Sequence, residues 1–95
     1  MKNFDFETAG KLRILDFDDM LMMALVHDGM TGTNCARVLY ISQPAVSQRM
    51  KKITESLGFP IFRAEGRRSG LTLEGRVLAS ACKMAIKIIT DAVPK

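Results

Sequence analysis

Residues 41–58 constrain the fold most, because both ends of a helix are marked within this one stretch. Ser42 can cap the first free backbone N–H groups, and Pro44 falls in the first turn, where its missing N–H costs no hydrogen bond. Gly58 can leave the helix in the left-handed conformation, and Pro60 prevents its continuation. The stretch therefore predicts one helix with defined ends.

The predicted helix has two unlike faces. Apolar side chains recur at helical spacing on one face, at Val46, Met50, Ile53 and Leu57. Amide, hydroxyl and cationic groups crowd the other face, which carries Gln43, Pro44, Ser47, Gln48, Lys51 and Lys52. This outer face has two interpretations. It is either an ordinary solvated surface or a recognition surface, whose Gln and Ser groups bond base edges while cations neutralise phosphates.

Size and composition indicate one folded domain. The chain has 95 residues, of which 47% are apolar, and it contains no apolar run near the roughly 20 residues of a membrane helix. No secretory signal is recognisable at the N-terminus, so a cytoplasmic protein is expected. Cys35 and Cys82 lie among small residues in helix-like segments and are predicted to be buried free thiols.

Charge is distributed unevenly along the chain. Residues 1–30 hold three basic and six acidic side chains, a net −3, whereas residues 31–95 hold eleven basic and four acidic ones, a net +7. A basic region behind an acidic leader suggests a polyanionic partner for the later part. The alternative is that the chain is one of many small, mildly basic soluble domains.

Two further helices are predicted before residue 41. Residues 1–15 form either a flexible leader or a short helix, after which Asp16 or Asp18 can cap a helix reaching about His27. The core face of that helix is predicted to hold Phe17, Met20, Leu21, Ala24 and Leu25. A turn at 28–32, a short helix from Thr33 to Leu39 and a connection of about three residues complete a helix-turn-helix. Such units bind DNA, although other three-helix domains share their geometry.

The pattern changes after Gly58 to a predicted hairpin, or wing. Residues 59–64 and 69–71 read as short strands, with Arg67 and Arg68 near the tip between them. These arginines would either meet backbone phosphate or an adjacent minor groove, or stand solvated on a mobile loop.

The last predicted helix is too long for so small a domain to cover. Thr72 can cap it, and it would continue to about Val93, a length of roughly 30 Å. Its apolar positions recur near the 3.5-residue period of coiled coils. They are predicted either to pack on the domain's own first helix or, as we favour, to pair with a partner helix in a homodimer. They are Leu78, Ala81, Cys82, Ala85, Ile88, Ile89 and Ala92.

The run Ser42-Gln43-Pro44-Ala45-Val46-Ser47 resembles the LysR-type transcriptional regulators. The similarity continues through Leu57-Gly58, Ile61-Phe62, Arg67-Arg68 and Leu71-Thr72-x-x-Gly75, and covers about residues 16–93. It implies a winged helix-turn-helix followed by a linker helix that dimerises. It also implies that Gln43, Pro44, Ser47 and Gln48 face DNA, that Arg68 contacts the backbone, and that Thr31 or Thr33 contacts a phosphate.

This sequence departs from the family pattern at several places. Residues 29–32 hold one extra residue before the second helix, and the arginine usual after the Leu-Phe pair falls on Ala64, with Arg63 one position early. Glu74 replaces the usual alanine before Gly75. The family's effector-binding domain would follow the linker helix, beyond the last residue here.

The sequence therefore predicts a mainly α protein with a small β wing. A leader (1–15) precedes a winged helix-turn-helix (16–71) and a long C-terminal dimerisation helix (72–95). The predicted function is sequence-specific binding of double-stranded DNA by a homodimer on a dyad-symmetric site. The residues predicted to read bases are Gln43, Ser47 and Gln48. Those predicted to hold phosphates are Arg49, Lys51, Lys52, Arg67 and Arg68. The alternative is an interaction protein that modulates another regulator through its last helix. No catalytic constellation, metal-ligand cluster or cofactor motif is recognisable.

Overall fold

Helices dominate the computed structural model, which describes residues 4–63 and 70–95. A single 3₁₀ turn, Leu12–Ile14, follows the first helix. The α-helices in chain order are α1 (Phe6–Lys11), α2 (Phe17–His27), α3 (Gly32–Leu39), α4 (Gln43–Leu57) and α5 (Leu73–Ala92). The prediction of a mainly helical fold is thus confirmed, and the leader contains a short helix.

The helices α2 to α5 each begin at a side-chain cap. In each case the cap oxygen accepts a hydrogen bond from the N–H three residues on, which satisfies a donor that the helix leaves free. The predicted caps Asp16, Ser42 and Thr72 are confirmed, while α3 begins one residue earlier than predicted, with Thr31 as its cap. Gly58 ends α4 with φ 81°, as predicted.

The wing is visible at its base. Phe62 and Leu71 form an antiparallel bridge, and the N–H of Arg63 donates to the Gly70 carbonyl at 3.1 Å. The predicted strand ends and the tip, including Arg67 and Arg68, fall among residues 64–69, outside the described residues.

The core lies among α2, α3, α4 and α5. Its buried apolar members are Met22, Met23, Val26, Cys35, Ala36, Val46, Ile53, Ile61, Leu71, Ala79 and Cys82. The core face predicted for α2 is only partly correct: Met20 and Leu25 pack against the core, but Phe17 is 48% exposed and the buried residues are Asp19, Met22, Met23 and Val26. Because α2 is apolar on nearly all sides, its periodicity does not indicate which side faces inward.

The start of α5 lies directly against the backbone of Ile61. The N–H of Thr72 donates to the Ile61 carbonyl at 3.0 Å, and the Thr72 hydroxyl donates to the Pro60 carbonyl at 2.7 Å. A Cβ built on Gly75 would overlap the Ile61 carbonyl oxygen and sit 2.9 Å from its carbonyl carbon. The Thr72-x-x-Gly75 spacing therefore combines a helix cap with a position that has no room for a side chain.

α5 packs along α2 and completes the core. Cys82 is 5% exposed within the subunit, and Leu78 packs against the same core. Cys82 was therefore wrongly predicted as a dimer-interface residue, because it already faces α2. Cys35 and Cys82 are free and buried, as predicted, and burial raises the pKa of both thiols. None of the helices in the described ranges is long and apolar enough to cross a membrane.

Candidate nucleic-acid interface

The outer face of α4 is open to solvent over its first three turns. Val46 and Ile53 anchor the opposite face in the core, with Met50 and Leu57 packed beside them, as predicted. Since this anchoring fixes which side of the helix faces outward, the polar side chains stand together on one surface. The exposed members are Gln43, Pro44, Ser47, Gln48 and Lys51.

The turn between α3 and α4 brings two predicted contact residues together. The Gln43 Nε2 donates to the Thr33 hydroxyl at 3.1 Å, so the starts of the two helices share a hydrogen bond. Tyr40 adopts the left-handed conformation in this turn (φ 57°) and is 94% exposed. Sequence reasoning missed Tyr40 as a surface residue next to α4, although an aromatic residue just before the helix cap could have signalled it.

Arg49 and Lys52 point toward α2, where they pair with a buried acid. The carboxylate of Asp19 has no exposed surface and accepts from Arg49 Nη1 at 2.8 Å and from Lys52 Nζ at 2.7 Å. A buried carboxylate requires such partners, because desolvation of an unpaired charge is costly. Both cations were predicted to hold phosphates. Their role in fixing α4 to α2 was missed, and phosphate contact stays a prediction.

Asp16 extends this cluster to the protein surface. Its two carboxylate oxygens accept from Arg49 Nη1 at 2.9 and 3.0 Å, and one also accepts from the Asp19 N–H at 2.7 Å. Desolvation raises the pKa of Asp16, but the hydrogen bonds from Asp19 and Arg49 outweigh it and lower the pKa below its usual value. Asp16 is therefore ionised at neutral pH.

The remaining predicted cations differ in their surroundings. Lys51 is exposed and forms no ion pair with any residue that the structure describes, so its charge is available to an external anion. Arg67 and Arg68 fall outside the described ranges, and their predicted contacts stay predictions. Within those ranges no group of three His, Cys, Asp or Glu side chains could hold a metal ion.

A second exposed surface runs along α5. Its apolar side chains occupy one side of the helix at 100° per residue, with the 4-3-4 spacing of coiled-coil seams between Val77 and Ile88. Ala81, Ile88 and Ala92 belong to both the predicted interface and this stripe, whereas Leu73, Val77 and Met84 are exposed on the stripe but were not part of the predicted interface. Ile89 is also exposed, and Ala85 is half-buried. We call Leu73, Val77, Ala81, Met84, Ile88 and Ala92 the α5 stripe.

The fold is a winged helix-turn-helix, which is a fold of DNA-binding proteins. It combines the three helices α2, α3 and α4, of which α4 has an open polar face, with the bridge between Phe62 and Leu71 and the long final helix α5. A family model described as the bacterial regulatory helix-turn-helix protein, lysR family, matches residues 17–76. Because this match covers well over half of the chain, the protein belongs to the LysR family and carries the DNA-binding domain of a LysR-type transcriptional regulator.

Curated relatives agree with this assignment. The chain is 39% identical over 51 residues to the HTH-type transcriptional activator CmpR of Synechocystis, covering 54% of this chain and 17% of the relative. It is 38% identical over 60 residues to the HTH-type transcriptional regulator CbbR of Rhodospirillum rubrum, covering 63% and 20% respectively. The chain thus spans about a fifth of the length of these relatives.

Solved structures share the fold. The BenM_DBD/catB site 1 DNA complex superposes with a TM-score of 0.73 at 19% identity, covering 81% of this chain and 83% of that one. The CbnR_DBD–DNA complex gives a TM-score of 0.71 at 18% identity, covering 82% and 90%. The probable transcriptional regulator PA0477 from Pseudomonas aeruginosa gives 0.72 at 24% identity, covering 86% and 28%.

Proposed function

We propose that this chain binds specific DNA sequences as a homodimer, with α4 of each subunit in the major groove of a dyad-symmetric site. The open outer face of α4 carries this proposal, because its amide and hydroxyl groups match the donors and acceptors of base edges. The two recognition helices would lie about 34–36 Å apart, one turn of the duplex. Two structures that share the fold were solved in complex with DNA, which supports DNA binding by this chain.

Within this proposal, the bases are read by Gln43, Ser47 and Gln48, and Pro44 faces the DNA beside these residues. Lys51, Arg67 and Arg68 contact phosphates, together with Thr33 at the start of α3. The experiment that tests the proposal is selection of bound duplexes from a random pool, followed by sequencing. Recovery of a single inverted repeat supports it, whereas a pool that stays random after several rounds rejects sequence-specific binding.

Gln48→Ala is expected to relax the preference at one base pair per half-site, by about 1–3 kcal/mol, because a glutamine amide pairs with one base edge. Binding to random duplex should change little. Competition between the selected site and its single-base variants measures the loss.

Lys51→Ala provides the comparison on the same helix. Removing an exposed cation should weaken binding to every duplex alike and reduce the slope of log affinity against log salt by about 0.9 for each phosphate that is no longer neutralised. Equal losses on specific and random duplex for Gln48→Ala, with an unchanged base preference, would contradict the assignment of Gln48 to base reading.

The α5 stripe supports the homodimer. Leu73, Val77 and Ile88 are 80%, 72% and 67% exposed, which is unusual for a row of large apolar side chains on one helix. A second α5 packed along this row would bury it, and the coiled-coil spacing fits such a pair. Pairing with the corresponding helix of another regulator is the alternative, because the same apolar row would serve it.

Ile88→Glu is expected to convert the dimer to a monomer at micromolar concentration, because it places a charge in the apolar seam. Thr90→Glu is the matched control, since Thr90 is exposed on another side of α5 and the same charge is added two residues away. Sedimentation velocity measures both. A monomeric unmodified chain, or an Ile88→Glu variant that stays dimeric, would contradict the proposed interface.

A further inference from the structure

An acidic side chain lies at the edge of the proposed DNA interface. Asp16 lines a surface depression together with Ala45, Gln48, Arg49 and Lys52, so it shares this depression with the predicted base-reading residue Gln48. The Asp16 side chain is 55% exposed, in contrast to Asp19, which is fully buried. A phosphate group that approaches Gln48 from this side would meet the Asp16 carboxylate next to the Arg49 and Lys52 cations.

Asp16 also engages the guanidinium of Arg49, which a backbone phosphate could otherwise bind. Arg49 Nη1 donates to both Asp16 oxygens, at 2.9 and 3.0 Å, and to Asp19 Oδ1 at 2.8 Å. Carboxylate and phosphate oxygens compete for the same guanidinium donors. The contact between Asp16 and Arg49 therefore has the chemistry of the contact that a DNA backbone would make.

We propose that Asp16 limits the affinity of this surface for DNA, by holding Arg49 in place of a backbone phosphate and by repelling the phosphates that pass Gln48. The inference rests on the proposed function of α4 as a recognition helix. Both effects apply to all duplex sequences alike, and the first is a positioning role that Asp16 exerts through Arg49.

The two acids of the cluster have separable roles. Asp19 alone still holds Lys52 and one donor of Arg49, so loss of the Asp16 charge leaves the tie between α2 and α4 in place. Asn is as good a helix cap as Asp, and its side-chain oxygen can accept from the Asp19 N–H as Asp16 does. Asp16→Asn therefore removes the charge and preserves the start of α2.

Asp16→Asn is expected to bind a random 30-base-pair duplex about three- to tenfold more tightly at 0.1 M salt, because an exposed charge at close range is only partly screened there. The slope of log affinity against log salt should steepen by about 0.9 for each subunit in which Arg49 binds a phosphate. Asp5→Asn is the matched control. Asp5 caps α1 by accepting from the Thr8 N–H, is exposed, and loses the same charge.

A second comparison tests whether the effect passes through Arg49. In an Arg49→Gln background, Asp16→Asn should no longer change the salt slope. Equal gains for Asp16→Asn and Asp5→Asn would overturn the inference, as would an unchanged slope. Failure of the unmodified 95-residue chain to bind any duplex would instead reject the proposed function, so the two failures are distinguishable.

Discussion

Gly75→Ala is expected to lower the free energy of unfolding by about 3 kcal/mol, because the added methyl group would overlap the Ile61 backbone. Neither partner can yield easily. The Ile61 carbonyl already accepts the Thr72 N–H at 3.0 Å, and Thr72 caps the helix that carries Gly75. Relief of the clash would require α5 to move away from the wing base and from α2.

Urea unfolding followed by circular dichroism measures this loss. Gly10→Ala is the matched control, since Gly10 is also helical and a Cβ there would meet no atom within 4 Å. That change is expected to be neutral or slightly stabilising, because alanine favours the helix. A Gly75→Ala midpoint within experimental error of the unmodified chain would contradict the close approach of α5 to Ile61.

Asp19→Ala is the second change with a large expected effect, a loss of about 3 kcal/mol in the free energy of unfolding. It removes the fully buried acceptor of Arg49 and Lys52 and half of the capping box that begins α2. This loss lies at the lower end for a broken buried ion pair, because the Arg49 and Lys52 side chains are 24% and 41% exposed and can reach water.

Asp18→Ala separates this effect from general loss of charge at the start of α2. Asp18 is the neighbouring residue, is 49% exposed, and approaches Arg49 only to 4.0 Å. Its removal should change stability by less than about 1 kcal/mol. For a domain of this size, the Asp19→Ala melting temperature should fall by ~12–24 °C. Similar melting temperatures for the two variants would contradict the role of Asp19.

The fold was predictable where local chemistry marks it. Caps at Asp16, Ser42 and Thr72, the left-handed exit at Gly58 and the apolar spacing of α4 each have a local physical cause, and each is confirmed. The LysR resemblance rested on the same segments and is also confirmed. Residues whose positions follow from hydrogen bonding within one turn were therefore accessible to sequence reasoning.

Contacts between helices were less predictable. The inward side of α2 could not be chosen by periodicity, because apolar residues surround that helix, and so the buried Asp19 was missed. Because this buried partner was not recognised, Arg49 and Lys52 were interpreted as unpaired cations. On α5, Cys82 and Ile88 belong to one apparent stripe in the sequence, and the packing of α2 divides them between core and surface.

α5 runs unbroken from its contact with Ile61 to Ala92, a length of roughly 30 Å. A small change in the direction of this helix has a large effect at its end, since a tilt of about 5° at the Gly75 end would displace the Ala92 end by roughly 2.6 Å over that length. The close approach that Gly75 permits thus sets the direction of α5, and with it the angle at which two α5 helices would cross in the proposed dimer. In the proposed homodimer, that angle would set the distance between the two α4 helices.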